Sequence, residues 1–232
     1  MSRLQLIQAE VCPFAQRTHM CLLEKNLGFD CVEIDLDDKP DWFNEVSPYS
    51  KVPLLKDGNV LIYESTIINE YLNEVFPEPP LLPQAAADRA TARTWIDFDN
   101  VKFIPAFYRL LLEQNLEKRQ QLVDQIIEHM KFFEQRGFAA DWRGSYWFGE
   151  SISLLDLAVY PHFERIAVLE NYRNIGVPDS CERLKDWLSA MRERPSAQTT
   201  SHDDDYHVKA YAQYADGSAS GSTAQDMLIY GH

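Results

Sequence analysis

Cys12, Pro13 and Phe14 follow a short apolar strand pattern, Leu4 to Gln8, and open a helical one. Cys12 therefore falls at a strand-to-helix turn. Proline suits the first helical turn, where its missing N–H costs nothing. The free backbone N–H groups and the positive end of the helix dipole then point at the Cys12 sulfur. Cysteines so placed can fall from a pKa of about 8.5 to roughly 3.5–7.5, and the thiolate is the nucleophile in disulfide exchange. Three residues on stands Ala15, not a second cysteine. A lone thiol cannot resolve its own mixed disulfide, so it needs an external thiol to finish a cycle. The plain structural reading, a small buried residue, competes with reactivity.

The elements that would hold Cys12 read as strand, helix, strand, short helix, hairpin, helix. The strand Leu4 to Gln8 leads into a helix from Pro13 to Leu27. Cys31 to Asp35 alternates as a second strand, and Asp41 to Val46 makes a short helix. Val52 to Lys56 and Val60 to Tyr63 flank Asp57-Gly58-Asn59, a hairpin turn. Glu64 to Phe76 is helical. A parallel pair plus an antiparallel hairpin, with helices packed on the sheet, is the thioredoxin-like arrangement. Cys12 falls where that fold keeps its redox residue.

Residues 79–87 are stiff and proline-rich and divide a region 1–78 from a region without strand signals, 88–200. Helical rhythm covers 88–113 and 116–138, and residues 137–149 read as a loop. Ser153 and Asp156 form a capping-box signature before an apolar run that reaches Leu169. That run predicts a central buried helix, kinked or short of a hydrogen bond at Pro161. Residues 180–194 form a further helix. The tail, 201–232, is expected to hold one short helix near 206–214 and then a mobile Gly/Ser-rich end. Asp203 to Asp205, flanked by His202 and His207, read as a solvated acidic run rather than a metal site.

The chain has 232 residues, 45% hydrophobic and 25% charged, and a formal net charge of −14. These values fit one or two globular units. The negative charge argues against nucleic-acid binding. The absence of an 18-residue apolar stretch argues against a membrane span. The N-terminus lacks signal-peptide character. Cys12, Cys21, Cys31 and Cys181 match no zinc spacing and no disulfide framework, which points to a reducing cytoplasm and no metal. Cys21 and Cys31 are expected in the core.

With these motifs assembled, residues 1 to 200 resemble a cytosolic glutathione transferase of the cysteine type, similar to the omega class and plant dehydroascorbate reductases. Cys12-Pro13-Phe14 matches the omega-like segment. Val52-Pro53 matches the family's cis-proline pair, and Glu64-Ser65 its acidic-serine pair. The implied fold is α/β plus all-α, a thioredoxin-like N-terminal domain followed by an all-helical C-terminal domain. The implied site is Cys12 as catalytic nucleophile, with Phe14, Lys39, Val52, Pro53, Glu64 and Ser65 binding glutathione as cosubstrate. Lys39 would face the glycine carboxylate, Val52 the cysteinyl backbone, and Glu64 with Ser65 the γ-glutamyl end. Glutathione is anionic, and the first 80 residues set six cations against fourteen carboxylates, so Lys39, and less strongly Lys51, gain weight as local cations. Ser153 and Asp156 are read as structural.

The resemblance implies thiol transfer or reduction through a Cys12–glutathione mixed disulfide. The partner is a small electrophilic, disulfide or oxidised substrate held between the two regions. Trp95, Phe98, Phe107, Tyr108 and Leu111 are weighed as pocket walls and assigned to the core. Conjugation or ether cleavage with Cys12 as bystander is a second reading. A non-enzymatic binding or regulatory protein is a third, because chloride intracellular channel proteins share the stretch matched by Gln16-Arg17. A two-fold homodimer is the default assembly, with a monomer as the alternative.

Overall fold

Alternation within β1 (Leu4–Gln8) sends its side chains into two cores on opposite faces of one sheet. Leu4 and Leu6 join the larger core, and Ile7 joins a smaller one with Phe43, Val52 and Leu54. The structure, a computed structural model, describes residues 3–138, 142 and 144–229. β1 runs parallel to β2 (Phe29–Glu33) and antiparallel to β3 (Leu54–Asp57), which pairs antiparallel with β4 (Val60–Tyr63). The strand order is β2-β1-β3-β4. α1 (Pro13–Glu24) makes the crossover that a parallel pair requires. Gly58, at φ +60°, supplies the left-handed residue of the β3–β4 turn. α1 and α3 (Ser65–Val75) contribute Met20, Leu22, Ile68 and Leu72 to the larger core, while α2 (Asp41–Val46) buries Phe43 in the smaller one.

Two local expectations shift. β2 begins at Phe29 rather than Cys31, and Cys31 is exposed, not part of the core. Its strand is the edge of the sheet, where the helical layer does not cover the side chain that pairs with Leu6. α1 stops at Glu24 rather than Leu27, with Asn26 in the left-handed region at φ 51°.

After α3 the described residues hold only helices. They are α4 (Ala86–Phe98), α5 (Ile104–Leu112), α6 (Leu116–Phe132), α7 (Leu154–Glu164), α8 (Ile166–Arg173), α9 (Glu182–Arg192), α10 (Pro195–Thr200), α11 (Asp204–Ala210), α12 (Ala212–Asp216) and α13 (Ser222–Ile229). A π-helical turn, Asp99–Phe103, interrupts what the sequence pattern reads as one helical region from 88 to 113. Pro105, which has no N–H to return to Val101, sits just beyond it and favours the wider turn. A second π turn, Phe133–Gly137, ends the stretch that begins with α6. Of the expected loop at 137–149, residues 139–141 and 143 lie outside the described residues.

α7 is buried along its whole length, as its all-round apolar sequence requires. Asp156, itself fully buried, accepts from the Ser153 N–H at 2.8 Å, the Ser153 hydroxyl at 2.6 Å, the Trp147 N–H at 2.9 Å and the Trp187 indole at 2.8 Å. The capping box is therefore also the joint that fixes the 146–149 turn and α9 to α7. The apolar run expected to reach Leu169 divides at Arg165, the residue between α7 and α8.

The tail departs most from expectation. α11 and α12 replace one short helix, and α13 lies in the stretch expected to be mobile. Asp203 caps α11 by accepting from the Tyr206 N–H at 2.7 Å. Tyr211, Ala215 and Ala224 are buried, and Tyr214 and Met227 pack on the larger core. The Gly/Ser-rich stretch only links these anchored helices. Residues 230–232, also in the expected mobile end, lie outside the described residues. Among the described residues no helix is long and apolar enough to cross a membrane.

Candidate active site

β1 delivers the chain to Cys12, whose N–H donates to the Ala9 carbonyl at 2.9 Å and whose carbonyl receives the Gln16 N–H at 3.0 Å. The residue is the extended N-cap of α1, at φ −82° and ψ 116°, with Pro13 as the first helical residue. Its half-buried thiol lies 3.9 Å from the Val52 carbonyl oxygen. A cavity of about 970 Å³ opens in front of it. Its lining includes Cys12, Phe14, Lys39, Val52, Pro53, Glu64 and Ser65, so the structure brings together every residue expected from the sequence.

Each has a local reason to be there. The Val52–Pro53 peptide bond is cis, as the resemblance implies. Glu64 caps α3 with φ 69° and ψ 111°, a conformation costly for a residue with a side chain. Such outliers persist where the surroundings hold them, often at ligand sites. Glu64 is exposed at the cavity wall, while Ser65 behind it is buried. Lys39 donates to the Ser50 carbonyl at 2.8 Å, which holds its stem along the cavity edge. Lys51 also lines the cavity but is ion-paired with Asp226 of α13. Phe14 packs edge-on against His162, with ring centroids 5.2 Å apart, and carries the Arg17 guanidinium over its face.

The electrostatics of Cys12 differ from the sequence expectation of a favoured thiolate. Burial pushes the thiol up, and this exceeds the opposing pull of the Ala15 and Phe14 amides and of the Arg165 and Arg17 charges. The helix N-terminus acts as expected, but the Cys12 thiol is drier than the turn alone implies.

Two buried arginines support the site from behind. Arg17 donates to the Ala158 carbonyl at 2.7 Å, Asn100 at 2.9 Å and Asp99 at 2.6 Å, and its guanidinium lies 3.5 Å from the Ser65 hydroxyl. Arg165 donates to Gln16 at 2.6 Å, to the Pro161 carbonyl at 2.7 Å and to the Val11 carbonyl at 3.2 Å, one residue before Cys12. Gln16 also donates to Glu164, which accepts the His202 N–H at 3.1 Å and pairs with His207 at 3.2 Å. Gln16 and Arg17 are thus structural joints between α1 and the helical region.

Sequence reasoning missed the opposite wall. It is built from Tyr108 of α5 and from the tail, including Tyr206, Tyr211, Tyr214, Asp226 and Met227. Of the five aromatic and aliphatic side chains weighed as walls, only Tyr108 lines the cavity; Trp95, Phe98, Phe107 and Leu111 pack in the core. The tyrosines at 206, 211 and 214, just after a helix-capping aspartate, were the available signal that the tail is ordered. Among the described residues no group of His, Cys, Asp and Glu could hold a metal ion. The arrangement sets around one cavity a thiol, a cation at one rim, and a helix N-terminus with Ser65 that can hold a carboxylate.

Residues 6–80 match the family model for the glutathione S-transferase N-terminal domain, and residues 86–190 match the model for the C-terminal domain. Glutathione S-transferase omega-1 of Rattus norvegicus is 32% identical over 215 residues, covering 91% of this chain and 84% of the relative. Glutathione S-transferase DHAR3, chloroplastic, of Arabidopsis thaliana is 29% identical over 190 residues, covering 82% and 68%. The crystal structure of glutathione transferase Omega 3C from Trametes versicolor superposes with a TM-score of 0.82 at 27% identity, covering 93% of this chain and 91% of the other.

Proposed function

The chain belongs to the glutathione S-transferase family and is a glutathione transferase, and from that premise we propose that it works as a thiol transferase through Cys12. The observation that carries the reading is the position of the thiol. It stands at the N-terminus of α1, on the wall of the large cavity, beside the cis Val52–Pro53 bond. The other cysteines are elsewhere: Cys21 and Cys181 are buried, and Cys31 is on the sheet edge. Burial pushes the Cys21 thiol up to about 12.

In this reading the glutathionyl group of a mixed disulfide lies along β3 and the start of α3. The Val52 backbone meets its cysteinyl amide, and Phe14 and Pro53 flank it. Lys39 meets its glycine carboxylate, and Glu64 and Ser65 meet the amino and carboxyl groups of its γ-glutamyl end. The Cys12 thiolate attacks the glutathionyl sulfur. A new S–S bond forms to Cys12, the old bond to the acceptor atom breaks, and its electron pair leaves with the acceptor. A second glutathione thiolate then attacks the mixed disulfide and departs as glutathione disulfide, returning Cys12 as thiolate. The amides of Phe14 and Ala15 and the nearby guanidiniums stabilise that thiolate at each departure.

The test is glutathione-dependent reduction of 2-hydroxyethyl disulfide by the native protein and by Cys12→Ser. The reading expects activity in the first and loss of essentially all of it in the second. Equal activity in both would assign Cys12 the role of bystander and move the chemistry to conjugation.

A further inference from the structure

We propose that α13 is a lid on the Cys12 cavity, latched by the Lys51–Asp226 ion pair and unlatched when a carboxylate of glutathione takes Lys51 from Asp226. The inference rests on the placement of glutathione proposed above and adds a moving part to it.

Packing alone holds α13 lightly. The helix lines the cavity through Ser222, Thr223, Asp226 and Met227 and rests on α5. Among its described side chains only Ala224 is buried, and Met227 is half-buried. One methyl group and part of a thioether chain bury little apolar surface, so they stabilise the docked helix only modestly. A hinge stands before it. The Ser218 and Ala219 N–H groups both donate to the Gln213 carbonyl, at 2.9 Å and 3.0 Å, which fixes the chain that far to α12. Ser220 and Gly221 are then exposed, and a Cβ on Gly221 would meet nothing within 4 Å. α13 begins at the next residue. Segments with so few buried contacts are the ones that open at low cost.

The ion pair supplies the latch. Lys51, in the loop before β3, meets Asp226 and so ties α13 to the sheet region across the cavity rim. The two side chains are 42% and 35% exposed, so solvent screens their attraction and a competing carboxylate can displace Asp226. Glutathione brings such a carboxylate to this rim. The Lys39 ammonium bonds the Ser50 carbonyl at 2.8 Å, on the peptide unit that leads into Lys51, and both lysines line the cavity. A carboxylate has two oxygens, and one that meets Lys39 can offer the second to Lys51. Asp226 is then left beside a like charge, which favours its departure with α13.

A ligand shifts such an equilibrium only through a contact it makes in one state and not in the other. Here that contact is Lys51, free only when the latch is open. The coupling is reciprocal: the factor by which glutathione opens the lid is the factor by which the latch weakens glutathione binding. Glutathione thereby clears the tail side of the cavity for the acceptor, and no covalent bond changes in the exchange.

The experiment is backbone hydrogen exchange, read by mass spectrometry on residues 220–229 of the full chain. The probe is S-methylglutathione, which keeps both carboxylates and forms no adduct with Cys12. At saturation it should speed exchange of this segment about two- to fivefold, the range open to a screened pair. In Asp226→Asn the segment should exchange that fast without the probe and respond no further, and the probe should bind tighter by the same factor. Lys51→Gln should also exchange fast and show no response. Slower or unchanged exchange in the native chain at saturation would overturn the proposal, as would a full response in Asp226→Asn. Calorimetric titration separates the two levels. A native chain that does not bind the probe would remove the placement of glutathione and the latch with it. A native chain that binds the probe without faster exchange would remove the latch alone and leave thiol transfer through Cys12 standing.

Discussion

The Arg17 guanidinium and the Asp99 carboxylate meet at 2.6 Å, with side chains 1% and 0% exposed. Arg17 comes from the helix that Cys12 opens, and Asp99 from the π turn between α4 and α5. The pair is the buried bolt between the sheet region and the helical region, directly under Ser65. Above pH 7, where Asp99 is ionised, replacing it by Ala leaves a buried guanidinium without its counter-charge, which costs about 3–5 kcal/mol. Denaturant unfolding of Asp99→Ala should show a loss of that size. A change below about 1 kcal/mol would show that the pair is dispensable.

The same carboxylate gives a pH dependence with a definite sign. Burial raises Asp99 from its ordinary 3.8 to about 7, although Arg17 opposes the shift. The folded state therefore holds a proton here that the unfolded chain releases between about pH 4 and 7. Stability from this group is present at low pH and declines as pH rises through that window. In melting curves from pH 4.5 to 7.5, Asp99→Asn should remove this falling component relative to the native protein. Parallel profiles would contradict it.

Cys12 carries its own pH prediction. Because burial pushes the thiol up, the thiolate fraction near neutrality is small. Alkylation of Cys12 by iodoacetamide should climb about tenfold per pH unit from pH 6 to 8 without levelling. A plateau below pH 7 would mean that the amides and the two arginines outweigh burial.

At the rim, Lys51 and Asp226 join the loop before β3 to α13. Both side chains are more than a third exposed, at 42% and 35%, so solvent screens the pair. Asp226→Asn should change global stability by under about 1 kcal/mol. It should also free Lys51 for the glutathione carboxylate and lower the KM for glutathione. An unchanged KM would show that Lys51 takes no part in binding.

The residues nearest the chemistry were the most legible. Cys12 and Pro13 announce a strand-to-helix turn through local rules, and the hairpin and capping box carry their own short-range signatures. What could not be read depends on partners far along the chain. Cys31 fits core alternation but belongs to an edge strand, a fact of sheet order. Arg17 and Arg165 look like surface charges until their acceptors at Ala158, Asp99 and Val11 are in place. The tail looks mobile because of five Gly and Ser residues, whereas Tyr211, Ala224 and Met227 hold it against α5.

The most direct test of the central claim is peptide mapping by mass spectrometry after exposure to glutathione disulfide under native conditions. The account predicts one glutathionyl group, on the peptide that carries Cys12, removed again by added glutathione at the rate of turnover. Sustained disulfide reduction with no adduct at Cys12, or with the same turnover in Cys12→Ser, would contradict it.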